Sequence, residues 1–348
     1  WVKGSSDYSF VDKNVLMRGN VDAKAATQVF TLEELNAMLK AAHGDTVPKL
    51  AGLEWINKST LALTLVGKTY QIDTKLKTAV VVDSSTIPAD AAITETGSNA
   101  TAYVLNDNIY VDVKHKAVQV TTDGSRELVY GKSVHREEFG IEKGLFWAPN
   151  GNLLAFYRMD QSMVTDYPIV DFSEKPAKDR EIKYPFAGGK SHEVTVGVFD
   201  ITNGKTVYLK TGMPKDHYLT NIAWSPDAKS IYIAELNRDQ NEMNLNQYNA
   251  ATGDFVKTLF TEKDDKYTEP LHPMEFVPNN PSQFVWQSRR DGWNHLYLYK
   301  IDGTLVRQLT QGAWEVIDVA GFDKKSANIY FTSTINSGIN RDFCVTSI

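Results

Sequence analysis

Cysteine is almost absent. Cys344 is the single one in 348 residues, which excludes an intrachain disulfide and a multi-cysteine metal site and leaves the redox compartment open. Long apolar runs are missing as well: nothing approaches the roughly 18 consecutive apolar residues of a membrane-spanning helix, so no span is expected. Basic charge is in the minority, with 37 Lys and Arg against 43 Asp and Glu and a net charge of -6. A chain of that balance has no global basic surface for nucleic acid, and mild acidity mostly serves solubility. Catalytic signatures are also lacking. No G-x-S-x-G elbow occurs, and the nearest run, Gly189-Lys190-Ser191-His192-Glu193, lacks the second glycine. No H-E-x-x-H zinc helix occurs, because His192-Glu193 continues as Val194-Thr195-Val196, and no glycine-rich phosphate loop is found. No metal, no cofactor and no catalytic residue is therefore expected in this chain, and the seven scattered histidines read as surface or turn residues.

What is present is a large apolar inventory, 42% of the chain with 11% aromatics, and a repeat. An aromatic, a short Pro/Asn/Asp/Gly turn and an alternating strand recur as LEWINKSTLALTL (53–65), LFWAPNGNLLAFY (145–157), IAWSPDAKSIYIA (222–234), MEFVPNNPSQFVWQ (274–287) and VAGFDKKSANIYFT (319–332). Turn residues that accept positive φ or preset it make each a hairpin. A second hairpin follows most of them: NIYVDVKHKAVQVTT (108–122), VGVFDITNGKTVYL (196–209), LNQYNAATGDFVKTL (245–259) and LYLYKIDGTLVRQL (296–309). Two hairpins make one four-stranded antiparallel blade, and Trp224, Phe276 and Phe322 recur at the ~40–50-residue spacing of blades. The fold class expected is all-β, a β-propeller; a β-sandwich of generic hairpins is the weaker alternative, because sandwiches do not repeat a two-hairpin cassette. Residues 161–192 interrupt the spacing and read as an insertion. One helix is expected, TLEELNAMLKAA (31–42), with Thr31 and Glu34 as a capping box and Leu32, Leu35 and Leu39 on one face. The expected division is a strand/helix attachment over 1–50, packed on the propeller rim, and a propeller over 51–348. A start at Trp1 without an initiator Met and an end inside a strand pattern, FCVTSI, lead us to expect a piece of a longer protein.

Glu137 and Glu138 are the candidate chemistry. An EE dipeptide alone is usually a solvated acidic step, since like charges repel and neighbouring helical side chains diverge by ~100°. Both carboxylates converge on one ligand only in a distorted turn, which Gly140 permits. A converged pair suits an α-ammonium group, which offers three N–H donors and is largely protonated near neutral pH. Arg136 reads as a structural ion-pair partner of that turn. Trp147, Trp224 and Trp314 read as core residues of inner strands before stacking platforms. The basic pair in SRRDGWNH (288–295) reads as a solvated loop stabilised by Asp291, not as a nucleic-acid patch.

The runs AYVLNDNIYV (102–111), REEFG (136–140), GLFWAPNGNLLAFYRMD (144–160), YPFAGG (184–189), VTVGVFD (194–200), SRRDGWNHLYLY (288–299) and GAWEVIDV (312–319) together resemble the N-terminal propeller of the dipeptidyl peptidase IV family, the prolyl oligopeptidase-like serine peptidases, in family order. The resemblance is weaker over the first 100 residues. It implies a propeller of seven to eight blades, the last incomplete here, in which Glu137 and Glu138 bind the substrate α-ammonium and Tyr267 supplies an aromatic near the site. It implies a separate C-terminal α/β-hydrolase domain, absent from this chain, that carries the Ser-Asp-His triad and releases N-terminal X-Pro or X-Ala dipeptides. The arginine that the family places near the substrate carbonyl has no equivalent we can identify. Peptides with a free amino terminus, the hydrolase domain and a homodimer partner, with the 161–192 insertion as its contact, are the implied partners. An exported, periplasmic or envelope location is implied too. A prolyl tripeptidyl peptidase propeller and a non-enzymatic propeller for interaction or sensing are the alternatives.

Overall fold

The computed structural model describes residues 1–3, 5, 7–20, 25–65, 68–84, 87–88 and 90–348. It divides into two compact units, Trp1–Ala91 with His115–Ala117, and Ala92–Lys114 with Val118–Ile348. The chain is mostly β, with very little helix. Among the described residues seven blade sheets follow one another along the sequence.

The first unit holds a three-stranded sheet, Asp7–Asp12, Val15–Asn20 and Thr27–Thr31, and a four-stranded one, Leu53–Trp55, Thr60–Leu65, Lys68–Asp73 and Thr78–Ser84. Between them lies the helix Leu32–Ala41. Its capping box is formed: the Glu34 N–H donates to Thr31 Oγ1 (3.1 Å) and the Thr31 N–H to Glu34 Oε2 (2.7 Å). Leu35, Met38 and Leu39 are buried in one core with Phe30, Leu61, Leu63, Tyr70 and Ile72.

In the second unit the cassettes form as sheets of hairpins, complete in all but the last. Ile93–Thr96, Thr101–Leu105, Asn108–Val113 and Lys116–Gln119 make the first sheet. The next contains Leu128–Tyr130, Leu145–Trp147, Leu153–Asp160, Glu193–Asp200 and Lys205–Tyr208. Two regular four-stranded sheets follow, from Tyr218–Trp224 to Phe255–Lys263 and from Glu275–Val277 to Leu305–Gln308. The last has three strands, Val316–Phe322, Asn328–Ser333 and Asp342–Ser347. Middle strands are the most buried: Ser230–Leu236 is covered along nearly its whole length, and one cluster joins Tyr232, Ala234 and Leu245 to Phe284, Trp286 and Tyr299 of the following sheet. Outer strands such as Leu305–Gln308 face water. Each buried Leu, Ile or Phe in these layers contributes ~1.5–3 kcal/mol.

The 161–192 insertion is an antiparallel ribbon, Asp166–Asp171 against Lys178–Lys183. It leaves and re-enters the ladder at facing residues, Asp160 opposite Glu193, so it lengthens a hairpin connection without shifting the register.

Two side-chain expectations need correction. Four of the seven histidines, His135, His192, His217 and His295, are buried instead of lying on the surface. His295, for example, is satisfied by Thr310 Oγ1 and the Gly312 carbonyl, each at 3.0 Å. The two arginines of the 288–295 loop are held chiefly by glutamates outside it: Arg289 pairs with Glu315 (2.8 Å), and Arg290 pairs with Glu262 and lies 4.3 Å over the Tyr297 ring. Asp291 closes the loop by accepting from the Trp293 N–H (3.4 Å) and ties it to the outer strand by accepting from Gln308 Nε2 (2.6 Å).

Candidate functional site

Glu137 and Glu138 sit in a distorted turn, His135–Gly140. His135, Arg136, Glu137, Phe139 and Gly140 all have φ between 52° and 70°, while Glu138 is extended at φ -62°, ψ 160°. Left-handed backbone at residues other than glycine is costly and persists only where the surroundings impose it. Here two buried side chains impose it from either end. Phe139 packs edge-on against Tyr218, with ring centroids 5.0 Å apart. His135 packs against Tyr218 at the same 5.0 Å and is 5% exposed. Gly140 closes the turn against another segment: a Cβ there would lie 2.2 Å from the Leu271 carbonyl oxygen. With both flanks buried, the two glutamates are turned outward and are exposed. Glu137 accepts from Ser133 Oγ at 3.3 Å. Among the described residues the Glu138 carboxylate has no hydrogen bond or ion pair.

Arg136 makes no ion pair among the described residues, contrary to the sequence reading. Its guanidinium lies 4.6 Å over the Tyr184 ring and donates to the Lys183 carbonyl (3.4 Å), so it ties the turn to the end of the ribbon. Tyr267 is 59% exposed, four residues before Leu271, whose carbonyl abuts Gly140. No hydrogen bond or ring contact joins Tyr267 to either glutamate among the described residues. Its segment is pinned by Asn221, which has φ 53° at a bulge of the strand Tyr218–Trp224 and donates through Nδ2 to the Pro270 carbonyl (2.7 Å).

Sequence reasoning passed over the residues beneath the turn. His192 Nε2 lies 3.0 Å from His135 Nδ1, and the Leu219 N–H donates to His135 Nε2 at 3.2 Å. Arg238 donates to Tyr218 Oη (2.5 Å) and lies 5.2 Å over its ring. Burial first, then the neighbouring His192, His217 and Arg238, hold His135 well below the usual imidazole range. Burial, Arg238 and Arg136 bring His192 down to about 4. His217, 3.8 Å from Glu235, is likewise lowered by burial, so that contact is not an ion pair at neutral pH. The signals that could have found this layer are His135 itself, two residues before the pair, and Asn221 inside a strand that is buried along nearly its whole length.

Beside Gly140 opens a cavity of about 500 Å³, lined by Phe146, Trp147, Tyr157, Trp224, Glu142 and Lys143 among others. Trp147 and Trp224 spend their indole N–H groups on the Glu95 and Phe146 carbonyls (2.9 and 3.0 Å). They pack against the cores with one part and line the cavity with another. Trp314 packs in a core, stacked on Phe331. Among the described residues no cluster of His, Cys, Asp and Glu suited to a metal ion occurs, and no helix is long and apolar enough to cross a membrane.

The serial antiparallel sheets define a β-propeller, with the acidic turn exposed on one of them. A family model for the dipeptidyl peptidase IV (DPP IV) N-terminal region matches residues 65–345, and the chain belongs to that family. A Bacteroides ovatus crystal structure assigned as a dipeptidyl aminopeptidase IV is 35% identical, with a TM-score of 0.86 over 98% of this chain and 50% of its own. Porphyromonas gingivalis dipeptidyl peptidase 4, at 22% identity and a TM-score of 0.77, shares the fold. Dipeptidyl peptidase 4 of Arthroderma otae is 31% identical over 252 residues, 68% of this chain and 32% of its own length. This chain thus spans about a third of that curated relative and half of the solved chains.

Proposed function

We propose that this chain is the substrate-anchoring propeller of an exopeptidase that releases N-terminal dipeptides, with Glu137 and Glu138 holding the α-ammonium of the peptide. The observation that carries the reading is the turn itself. Its backbone is held in the left-handed region by buried flanks, and the only side chains it turns to solvent between those flanks are Arg136, which is tied down, and the two carboxylates. Membership of the dipeptidyl peptidase IV N-terminal family supports the choice of ligand. An ammonium group held by two carboxylates fixes the first residue of the peptide, and orientation of that kind decides which bond reaches a nucleophile. The nucleophile belongs to a C-terminal α/β-hydrolase domain of the same protein, and the natural setting is an exported enzyme; X-Pro and X-Ala dipeptides are the products expected.

The test is turnover by the protein that carries this chain, using Gly-Pro-chromophore and its N-acetylated counterpart. Cleavage of the free-amine substrate alone supports the reading; equal cleavage of both overturns it. Glu137→Gln and Glu138→Gln should each lower kcat/KM roughly ten- to hundredfold, the ~1.5–3 kcal/mol of a hydrogen bond to a charged group, with thermal stability unchanged.

A further inference from the structure

The hydrogen bonds under the turn fix where the protons are. His135 Nε2 accepts from the Leu219 N–H. A neutral imidazole has one donor and one acceptor nitrogen, so His135 carries its proton on Nδ1 and donates it to His192 Nε2, 3.0 Å away. His192 Nε2 is thereby an acceptor, and its own proton sits on Nδ1. The order is directional: backbone N–H of the strand Tyr218–Trp224, then His135 of the turn, then His192 at the return of the insertion. Both rings are buried. Arg136 makes a second tie to the same excursion through Tyr184 and Lys183.

We propose that His192 and His135 are positioning residues for the Glu137–Glu138 turn, acting as a neutral clasp in one tautomeric order; this deepens the amine-anchoring reading and rests on it. The clasp matters because the residues it holds, His135 to Glu137, have left-handed backbone that does not sustain itself. Without an acceptor at His192 Nε2, the buried His135 Nδ1–H loses its partner and the ring has reason to turn, which releases one of the two flanks of the turn. A second proton cannot be added without conflict. On His135 it would face the Leu219 N–H, and on His192 it would face the His135 Nδ1–H. The charged and titratable groups around the pair reinforce the neutral state: Arg238 from beyond Tyr218, Arg136 on the turn and His217 beside the strand all oppose a positive charge. Asp216 and Glu235 face His217, and Glu137 and Glu138 point to solvent.

Two measurements on this chain test it. Nitrogen-15 NMR of the imidazoles at pH 7 should show His135 and His192 both protonated at Nδ1 and bare at Nε2; an Nε2 proton on either overturns the clasp whatever the variants do. Binding of a Gly-Pro-Ala amide with free or acetylated amino terminus is then followed by NMR titration. His192→Gln keeps an acceptor near the Nε2 position and should hold the free-amine affinity within about twofold, whereas His192→Phe, equal in bulk without the acceptor, should weaken it about tenfold or more. A folded His192→Phe chain with undiminished preference for the free amine removes the positioning role and leaves the anchoring reading standing. If the unsubstituted chain does not distinguish the two peptides, the anchoring reading falls first.

Discussion

At Gly140 the turn admits no side chain. Its φ of +70° is strained for any L side chain, and a Cβ would meet the Leu271 carbonyl at 2.2 Å, so Gly140→Ala should cost ~2 kcal/mol or more. Urea unfolding measures that loss, and free-amine binding should fall with it although neither carboxylate has been altered. His192 makes a prediction of opposite visibility. Its folded imidazole titrates at about 4 against an ordinary value near 6.5. Between those pH values the unfolded chain takes up a proton that the folded chain refuses, so stability is greatest above about 6.5 and declines as pH falls towards about 4. His192→Gln should therefore flatten part of the drop in urea midpoint between pH 7.5 and pH 5; an unchanged slope would refute a neutral buried His192. The glutamate pair was legible in the sequence because it is a dipeptide beside a glycine. The histidines were not, because their burial depends on partners 57 and 84 residues away.

Elements were more legible than sites wherever their signals are local. The helix Leu32–Ala41 begins where Thr31 and Glu34 say it must, since a capping box is written within four residues. Thr31→Ala should cost ~1 kcal/mol, and Leu35→Asp, which puts a carboxylate in the core with Phe30 and Tyr70, considerably more; chemical denaturation orders the two, and equal effects would deny that the buried face outweighs the cap. Most of the hairpins fell at Asn, Asp, Gly and Pro turns for the same local reason; the one at Lys114-His115 has no such residue. The bulge at Asn221 escaped notice, because its cause is the Pro270 carbonyl of another segment. The tryptophans were half legible: packing explains one part of Trp147 and Trp224, but only the folded chain shows the cavity that they also line.

Along the sequence, the order of sheets follows the order of cassettes, because most sheets are built from consecutive hairpins; the exception joins Leu153–Asp160 to Glu193–Asp200 across the ribbon. Amide hydrogen exchange should rank the parts by burial: slowest in Ser230–Leu236 and Glu242–Asn249, between two covered faces, and fastest in Asp166–Asp171 and Lys178–Lys183. The reverse order would contradict the packing described. The ribbon has one further consequence. Because Asp160 and Glu193 face each other where the chain departs and returns, the tip between Asp171 and Lys178 is a splice point. A fluorophore, an epitope or a whole guest domain inserted there would report on the acidic turn through Tyr184 and His192 while the ladder beneath kept its pairing.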